Sequence, residues 1–548
     1  MWDYQYPSFD FAPPPELQGA AKAIIHPVVI VGGGPVGLTA ALDLAQRGHR
    51  VIVLEQDATV SDGSRAICWA QRSLEIFDRL GVVQPMVETG ITWSRGKVFR
   101  GDRLLYGFDL SPGEGFKYPP FVNLQQYMIE DFLIRRVRET PNIDLRWQST
   151  VEKVAAGAKF AAVSVATPAG GYTLKAEYVL ACDGARSAMR RLMGLDFTGR
   201  VFEDRFLIAD VRMKVPYPNE RLFWFYPSFH KGTSALMHRQ AKDEFRVDFQ
   251  LGPDVDPEEE AKPENVRPRL KAMLGPDVKF DFGWVSVYRF QSRRLEKFRH
   301  GRVIFAGDSA HQMSPFGGRG GNCGLQDADN LVWKLDMVLR GVAPDKLLDS
   351  YDVERIYAAD EHLRITGRTT DFMSAKDKPA VAFRDAVLGL AEKFPFARGL
   401  INAGRLSVAT KHAVSPLSTP DSDRFSGGVE PGSPALDAPC RGPAGPWFID
   451  QLPSRFCLLA FGTTAVTPAA LGDAKVPVEI VTVRPAGAAN ARQPKNAVID
   501  TKGLIAARYD AKPGTIYLFR PDRHVAARWR RFDRKKFRRA LSRALGED

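Results

Sequence analysis

Two glycine-rich stretches place residues where they could hold a phosphate-bearing cofactor. Gly32, Gly34 and Gly37 have Gly-x-Gly-x-x-Gly spacing directly after Val28-Val29-Ile30-Val31. In a turn from strand to helix, the first glycine permits the bend, the second lets the backbone approach a pyrophosphate, and the third lets helix and strand pack closely. The helix N-terminus adds free N–H groups and about half a positive charge. Glu55, at the end of the next apolar run, is placed to accept hydrogen bonds from a ribose hydroxyl. Further along, Cys182-Asp183-Gly184-Ala185-Arg186-Ser187 follows an apolar run, and Gly307-Asp308 opens a stretch holding Pro315, Gly317, Gly318, Gly320, Gly321, Asn322 and Gly324. That second glycine-rich turn reads as a second phosphate or ring-edge site. Arg65, just beyond the first unit, could pair with a pyrophosphate.

The elements that must position these residues follow from periodicity. Val28–Val31 and Val51–Leu54 read as buried strands, and Leu38–Arg47 reads as a helix closed by Gly48, giving a βαβ unit. A helix is predicted from Gln125 or Gln126 to about Thr140, and residues 143–181 alternate like a small antiparallel sheet ending at Tyr178-Val179-Leu180-Ala181. Residues 206–295 change character: strand-like runs at Leu222–Tyr226, Phe245–Leu251 and Trp284–Phe290 surround a charged helical insertion at 253–275, which suggests an antiparallel sheet covering something. Buried-strand character returns at Arg302–Ala306, and a helix is expected over Gln326–Leu339.

The expected fold class is α/β. Residues 1–26 form a surface arm, 27–205 and 296–411 two parts of a Rossmann-like nucleotide-binding domain, 206–295 a substrate domain, 412–447 a Pro/Ser/Gly/Asp-rich linker, and 448–548 a separate α/β domain. Within the last, Trp529, Phe537, Leu541 and Leu545 recur every four residues and suggest an amphipathic helix, with Asp533 anomalous on its apolar stripe.

Composition sets limits. A chain of 548 residues, 44% hydrophobic, can bury a large core across two or three domains. Five cysteines without paired short spacing suggest a reducing compartment and no zinc site. The uncharged run Pro27–Leu42 is too short and glycine-broken for a membrane span, and the acidic residues before it do not resemble a secretion signal, so a cytoplasmic protein is expected. Half of the formal net charge of +12 lies in residues 528–548. The rest is too diffuse to indicate nucleic acid, though it suits anionic cofactors and substrates.

Taken in order, Gly32-x-Gly34-x-x-Gly37, Cys182-Asp183-Gly184-Ala185-Arg186-Ser187 and Gly307-Asp308-Ser309-Ala310-His311, running through Asn322 to Asn330-Leu331-Val332-Trp333-Lys334-Leu335, resemble the class A flavoprotein aromatic hydroxylases. The resemblance covers about residues 28–370, and the tail is similar to the thioredoxin-like domain of the phenol hydroxylase and 3-(3-hydroxyphenyl)propionate hydroxylase branches. It implies FAD held by Gly32, Gly34, Gly37, Glu55, Arg65, Gln126, Asp183, Gly184 and Asp308. It also implies a flavin edge held by backbone N–H groups of the Gly317–Asn322 loop, including Gly318, Gly320 and Gly321, with Pro315 near the flavin C4a where oxygen adds. Reduction by NADH or NADPH, a C4a-hydroperoxide and hydroxylation of a phenol, perhaps one with a carboxylate, would follow. Such enzymes are homodimers in this reading, without nucleic acid, membrane or metal partners.

Hydroxylation needs a base for the phenol proton. Tyr288 matches a tyrosine near the substrate in the resembling enzymes. His230 and His238 are further candidates, His311 belongs to a family motif, and Arg239 and Arg246 could pair with a substrate carboxylate. Two other readings keep the same residues: a flavin-dependent reductase or oxidase that inserts no oxygen, and a non-enzymatic protein binding nucleic acid through its basic tail.

Overall fold

The computed structural model describes residues 4–18, 24–63, 65–111, 113–230, 234–401, 407–462, 466–488 and 497–548. Ser64, beside Arg65, lies outside them. Two compact units emerge: Met1–Ser111, Pro119–Ala328 and Ala359–Val408 form the first, and Pro112–Tyr118, Asp329–Ala358 and Ala409–Asp548 the second.

In the first unit, β1 (Ile25–Val31), helix α1 (Pro35–Gln46) and β2 (Val51–Leu54) form the expected βαβ unit. β1 is flanked in parallel by β2 and by Gly170–Ala181; β2 pairs parallel with Ile143–Arg146, and Gly170–Ala181 with Val303–Phe305. Their β-branched runs are buried on both faces, as a parallel sheet requires. Ile143–Arg146 thus departs from the antiparallel expectation for 143–181, which holds for Thr150–Ala156, Ala161–Thr167 and Gly170–Ala181. The arm is pinned down: Phe9 stacks on Trp147 at 4.1 Å, and the Tyr4 and Tyr6 rings pack on Tyr127 at 4.5 and 5.2 Å.

A second, mostly antiparallel sheet of eight strands runs His311–Gln312, Asp281–Leu295, Phe197–Arg212, Glu244–Leu251, Ser234–Arg239, Arg221–Phe225, Arg95–Arg100 and Arg103–Asp109. It reaches beyond 206–295 because Arg95–Arg100 joins it in parallel from the first half of the chain. One face is apolar: Leu207, Ala209, Phe245, Val247 and Phe249 are buried under Val266, Leu270 and Leu274 of helix Pro263–Leu274. A three-stranded sheet of β3 (Cys68–Ala70), Phe121–Asn123 and Ile91–Trp93 completes the unit.

The second unit holds a seven-stranded sheet in which Phe456–Phe461, Val478–Pro485 and Ala497–Asp500 are parallel, while Ile516–Phe519 and Val525–Trp529 add antiparallel. Residues 329–358 belong here rather than with the nucleotide sheet, because Trp333 and Leu347 enter its core and Glu354 bonds Lys334 Nζ at 2.8 Å and Arg520 Nη1 at 2.5 Å. The 412–447 stretch is packed in place: Val429, Ala435 and Ala438 are buried in a core of this unit. Trp529 ends a strand, and the terminal helix is Arg534–Ala544. Asp533 is its N-cap, accepting from Lys536 N at 2.9 Å, which accounts for its place on the stripe.

Candidate active site

The first glycine turn is built by backbone crowding on one side and openness on the other. Gly32 has φ 107°, and a Cβ there would collide with the Cys182 carbonyl; a Cβ on Gly37 would collide with the Gly32 carbonyl oxygen. Gly34, the N-cap of α1, has an ordinary φ of −79° and would meet nothing within 4 Å. No internal packing accounts for the missing side chain at 34, so it suits a group approaching from outside. Glu55 accepts from Gly33 N at 2.6 Å, and burial raises its pKa. Asp183 accepts from Ser187 Oγ at 2.7 Å and Met189 N at 2.9 Å, which fixes the turn through Gly184 (φ 72°). Gln126 accepts from Ala66 N at 3.1 Å, next to Arg65, whereas Gln125 turns away to Glu244 at 2.8 Å.

The second turn meets the first. Val36, at the start of α1, touches both Gly307 and Gly324: a Cβ on Gly324 would lie 2.8 Å from Val36 Cγ2 and 3.0 Å from Gly307 Cα. Asp308 projects beside this junction. Its carboxylate reaches solvent, yet enough protein surrounds it that desolvation raises its pKa, and it accepts no hydrogen bond from the described residues. Helix Gly320–Leu339 begins six residues earlier than expected, so Gly320 and Gly321 form its first turn and their N–H groups face the N-terminal side. The Asn322 side chain is fully engaged. It accepts from Ala70 N (2.8 Å) and Ser73 Oγ (2.6 Å) and donates to Cys68 O (2.7 Å) and Gly318 O (2.6 Å), tying the loop to β3. Only its backbone remains for a cofactor. Pro315 O accepts from Gly318 N at 2.9 Å in a tight turn.

Beneath this loop His311 Nε2 lies 2.7 Å from Asp327 Oδ2, which also accepts from Gly307 N at 2.9 Å. Burial opposes charging the imidazole, but the Asp327 carboxylate outweighs it and holds the His311 pKa well above its ordinary value. Cys323 completes a group whose donor atoms lie within 4.8 Å of one another. The ion pair already accounts for two of the three. Its stabilisation is complete below the unfolded histidine pKa and is lost as pH rises through the raised folded value. Asp327→Asn should lower stability by about 3–5 kcal/mol at neutral pH, read as the urea midpoint, and abolish that alkaline dependence.

The other face of the eight-stranded sheet looks towards these loops. Register aligns His238, Arg246, Asp210 and Trp284 in one row, and Leu236, Asp248, Ile208 and Ser286 in the next. Arg221, His238, Arg246 and Asp210 are buried, at 9, 4, 4 and 1% exposed, whereas Asp248, Trp284 and Ser286 on the same face are half-buried. His238 Nδ1 lies 4.0 Å from Cys68 Sγ and 3.4 Å from Asn123 Nδ2, and Cys68 Cβ would stand 3.1 Å from a Cβ on Gly318. Phe316 packs edge-on against Phe206 and Phe290 at 5.5 and 5.6 Å. Residues 316–318 of the second glycine turn therefore abut both the polar and the aromatic parts of this face.

Tyr288 sits there, opposite Phe206 and packed against its cluster. His230 does not. Its Nε2 bonds Gln250 O at 2.7 Å and its ring lies on Phe249, on the apolar side of the sheet. Arg239 is paired with Asp243 in the hairpin, and Arg246 makes a two-pronged bond to Asp210 at 2.7 and 2.8 Å, which occupies its guanidinium. Sequence reasoning missed Asp248 and Arg221. The signal for Asp248 was polar alternation, Arg246-x-Asp248-x-Gln250, on a strand whose other face is apolar.

A parallel sheet whose two glycine turns converge, set against an antiparallel sheet with a buried polar face, defines a two-sheet nucleotide-cofactor protein. Residues 26–366 match the family described as FAD binding domain, and the chain belongs to that family. FAD is its cofactor; the open Gly34 turn and the unpartnered Asp308 carboxylate fit such a group. The 3-(3-hydroxy-phenyl)propionate/3-hydroxycinnamic acid hydroxylase of Mycolicibacterium smegmatis is 31% identical over 369 residues, covering 67% of this chain and 65% of that protein. The chain thus spans just under two thirds of that relative. The enzyme of the same name from Mycolicibacterium gilvum is 28% identical over 91% of this chain and 88% of its own length. Among solved structures, p-nitrophenol 4-monooxygenase from Pseudomonas putida is 28% identical, with a TM-score of 0.62 over 70% of this chain and 99% of its own. The flavin-dependent monooxygenase PieE shares the fold with a TM-score of 0.81 over 96% of this chain and all of its own, at 20% identity.

Proposed function

We propose that the chain is an FAD-dependent monooxygenase that uses NADH or NADPH and O2 to hydroxylate a phenol, one carrying a carboxylate in the simplest case. The observation that carries this reading is the junction of Val36 with Gly307 and Gly324, which joins the two glycine turns beside a polar sheet face. Bound FAD supplies the redox chemistry, taking electrons from the nicotinamide and activating oxygen. The chain's own residues do the rest. Gly32, Gly34, Gly37, Asp183 and Gly184 form the pyrophosphate turn, with Arg65 and Gln126 on the adjoining loop. Asp308 accepts from a cofactor hydroxyl. Backbone N–H groups at Gly318, Gly320 and Gly321, at a helix N-terminus, favour negative charge on the ring edge. Phe206, Tyr288, Phe290 and Phe316 offer an apolar wall to an aromatic ring and exclude water from it. The relatives are named for 3-(3-hydroxyphenyl)propionate, p-nitrophenol and, in one from Rhodococcus jostii, resorcinol, all of them phenols.

The parallel core of the second unit with its antiparallel hairpin supports a thioredoxin-like domain. Homodimerisation follows from the resemblance and is checked by sedimentation. A cytoplasmic site agrees with the finding that no described helix is long and apolar enough to cross a membrane. The deciding experiment supplies 18O-labelled oxygen with NADH or NADPH and a panel of phenolic acids. Label in the product is expected. Cofactor oxidation with no label on any aromatic product would favour a reductase or oxidase instead.

A further inference from the structure

The polar face of the eight-stranded sheet contains two charges that the protein itself leaves unsatisfied. Arg221 is buried, and its guanidinium makes no hydrogen bond or ion pair among the described residues. Asp248 accepts no hydrogen bond, although its Oδ1 is sealed from solvent. Buried charges are normally paired, because desolvating an isolated ion is costly. Register sets the two on one face of the sheet: Leu222 pairs with Met237, which carries Arg221 alongside His238, while Asp248 lies opposite Leu236, one row along and two strands from Arg221. Both stand close enough to Cys68 to perturb its thiol, and Cys68 backs directly onto Gly318 of the second glycine loop.

Every charged or titratable group facing Asp248 can be assigned. Arg246 on its own strand is neutralised by Asp210 from the neighbouring strand. His238 is kept neutral, since burial first and then Arg221 and Arg246 push its pKa well below the ordinary value. Cys68 is kept as a thiol by burial. Arg221 is then the one cation of this group without a partner of its own. Burial raises the Asp248 pKa to about 6, with Arg246 and Arg221 opposing the rise. It is thus a carboxylate at neutral pH, but a stronger base than an exposed aspartate.

We propose that Asp248 is a catalytic residue, the base that takes the phenolic proton, and that Arg221 holds the phenolate oxygen left behind. The phenol O–H bond breaks, an O–H bond forms on the Asp248 carboxylate, and the electron pair stays on the ring oxygen, where it makes the ring electron-rich. No oxidant takes part in this step. The assignment rests on the phenol-hydroxylating reading above, and it replaces His230, which lies on the other face. Tyr288 remains in the wall, but a tyrosine hydroxyl is no stronger a base than the phenol it would deprotonate.

The test uses the full chain loaded with oxidised FAD, and 3-nitrophenol, a phenol that is neutral in solution at about pH 7 and yellow when ionised. Absorbance reports the phenolate, and calorimetry in two buffers of different ionisation enthalpy reports protons exchanged with solvent. Wild type should show the phenolate band on binding with no proton released, because the proton moves to Asp248. Asp248→Asn with normal FAD content should either bind 3-nitrophenol without the band or release a proton for each phenolate formed. Its hydroxylation of the phenol that wild type uses best should fall on the order of 10²-fold. Release of a proton by wild type, absence of the phenolate band, absence of binding, or an Asp248→Asn variant indistinguishable from wild type would each overturn the proposal. If Asp248→Asn does not fold, the wild-type proton balance alone decides. Labelled-oxygen incorporation by wild type reports separately on the reading beneath it.

Discussion

Asp308→Ala should give a folded protein that purifies nearly free of flavin. The carboxylate accepts no hydrogen bond from the described residues, and desolvation raises its pKa, so the protein gains nothing from it in isolation. Removing it relieves a mild electrostatic penalty and leaves the apoprotein's melting temperature unchanged or slightly higher. What is lost is a charge-assisted hydrogen bond to the cofactor, worth about 1.5–3 kcal/mol, or roughly a 10- to 150-fold weaker FAD dissociation constant. The flavin-to-protein absorbance ratio after purification and a fluorescence titration with FAD measure both. Full flavin occupancy in this variant would remove the second glycine turn from the cofactor site.

Gly37→Ala should be more damaging to the fold itself. The new methyl collides with the Gly32 carbonyl oxygen, and Gly32 cannot retreat, because it already lies against the Cys182 carbonyl at the end of the adjacent strand. Both neighbours are backbone, so no flexible side chain can absorb the clash. Overpacking of this kind costs about 1–3 kcal/mol, and the turn geometry that presents N–H groups is distorted at the same time. Reduced urea midpoint together with loss of bound flavin is the expected pair of results. An unchanged midpoint with normal flavin would mean the turn is looser than its contacts indicate.

Local chemistry explains which parts of this molecule could be read from residues alone. The βαβ unit from Val28 to Glu55 was legible because each piece declares itself within a few residues: four β-branched side chains, three glycines, an acid after the second strand. The second turn was legible for the same reason, through glycine density. The start of helix Gly320–Leu339 was not, since glycines lower helix propensity, and only the Asn322 bonds to β3 show why the helix begins there. Trp529 fits a four-residue spacing equally well as the end of a strand, and pairing with Ile516 decides for the strand.

The sheet's inner face was illegible for a deeper reason. Alternation such as Arg246-x-Asp248-x-Gln250 reads as a solvated face in any antiparallel strand. Only the approach of Cys68, Asn123 and Phe316 from distant parts of the chain turns that face into a buried wall. His230, one residue from the partly buried Phe229, looked equally eligible in sequence, and only its contacts with Phe249 and the Gln250 carbonyl, from a loop outside any strand, put it on the wrong side.

The most direct test of the central claim is a crystal structure of the purified chain with FAD bound. The account predicts one FAD spanning both turns, its pyrophosphate at Gly32–Gly37, a hydroxyl on Asp308, and its ring edge at residues 317–321 facing the Asp248 side of the sheet. A flavin that touches only one turn, or whose ring faces away from that sheet, would contradict it.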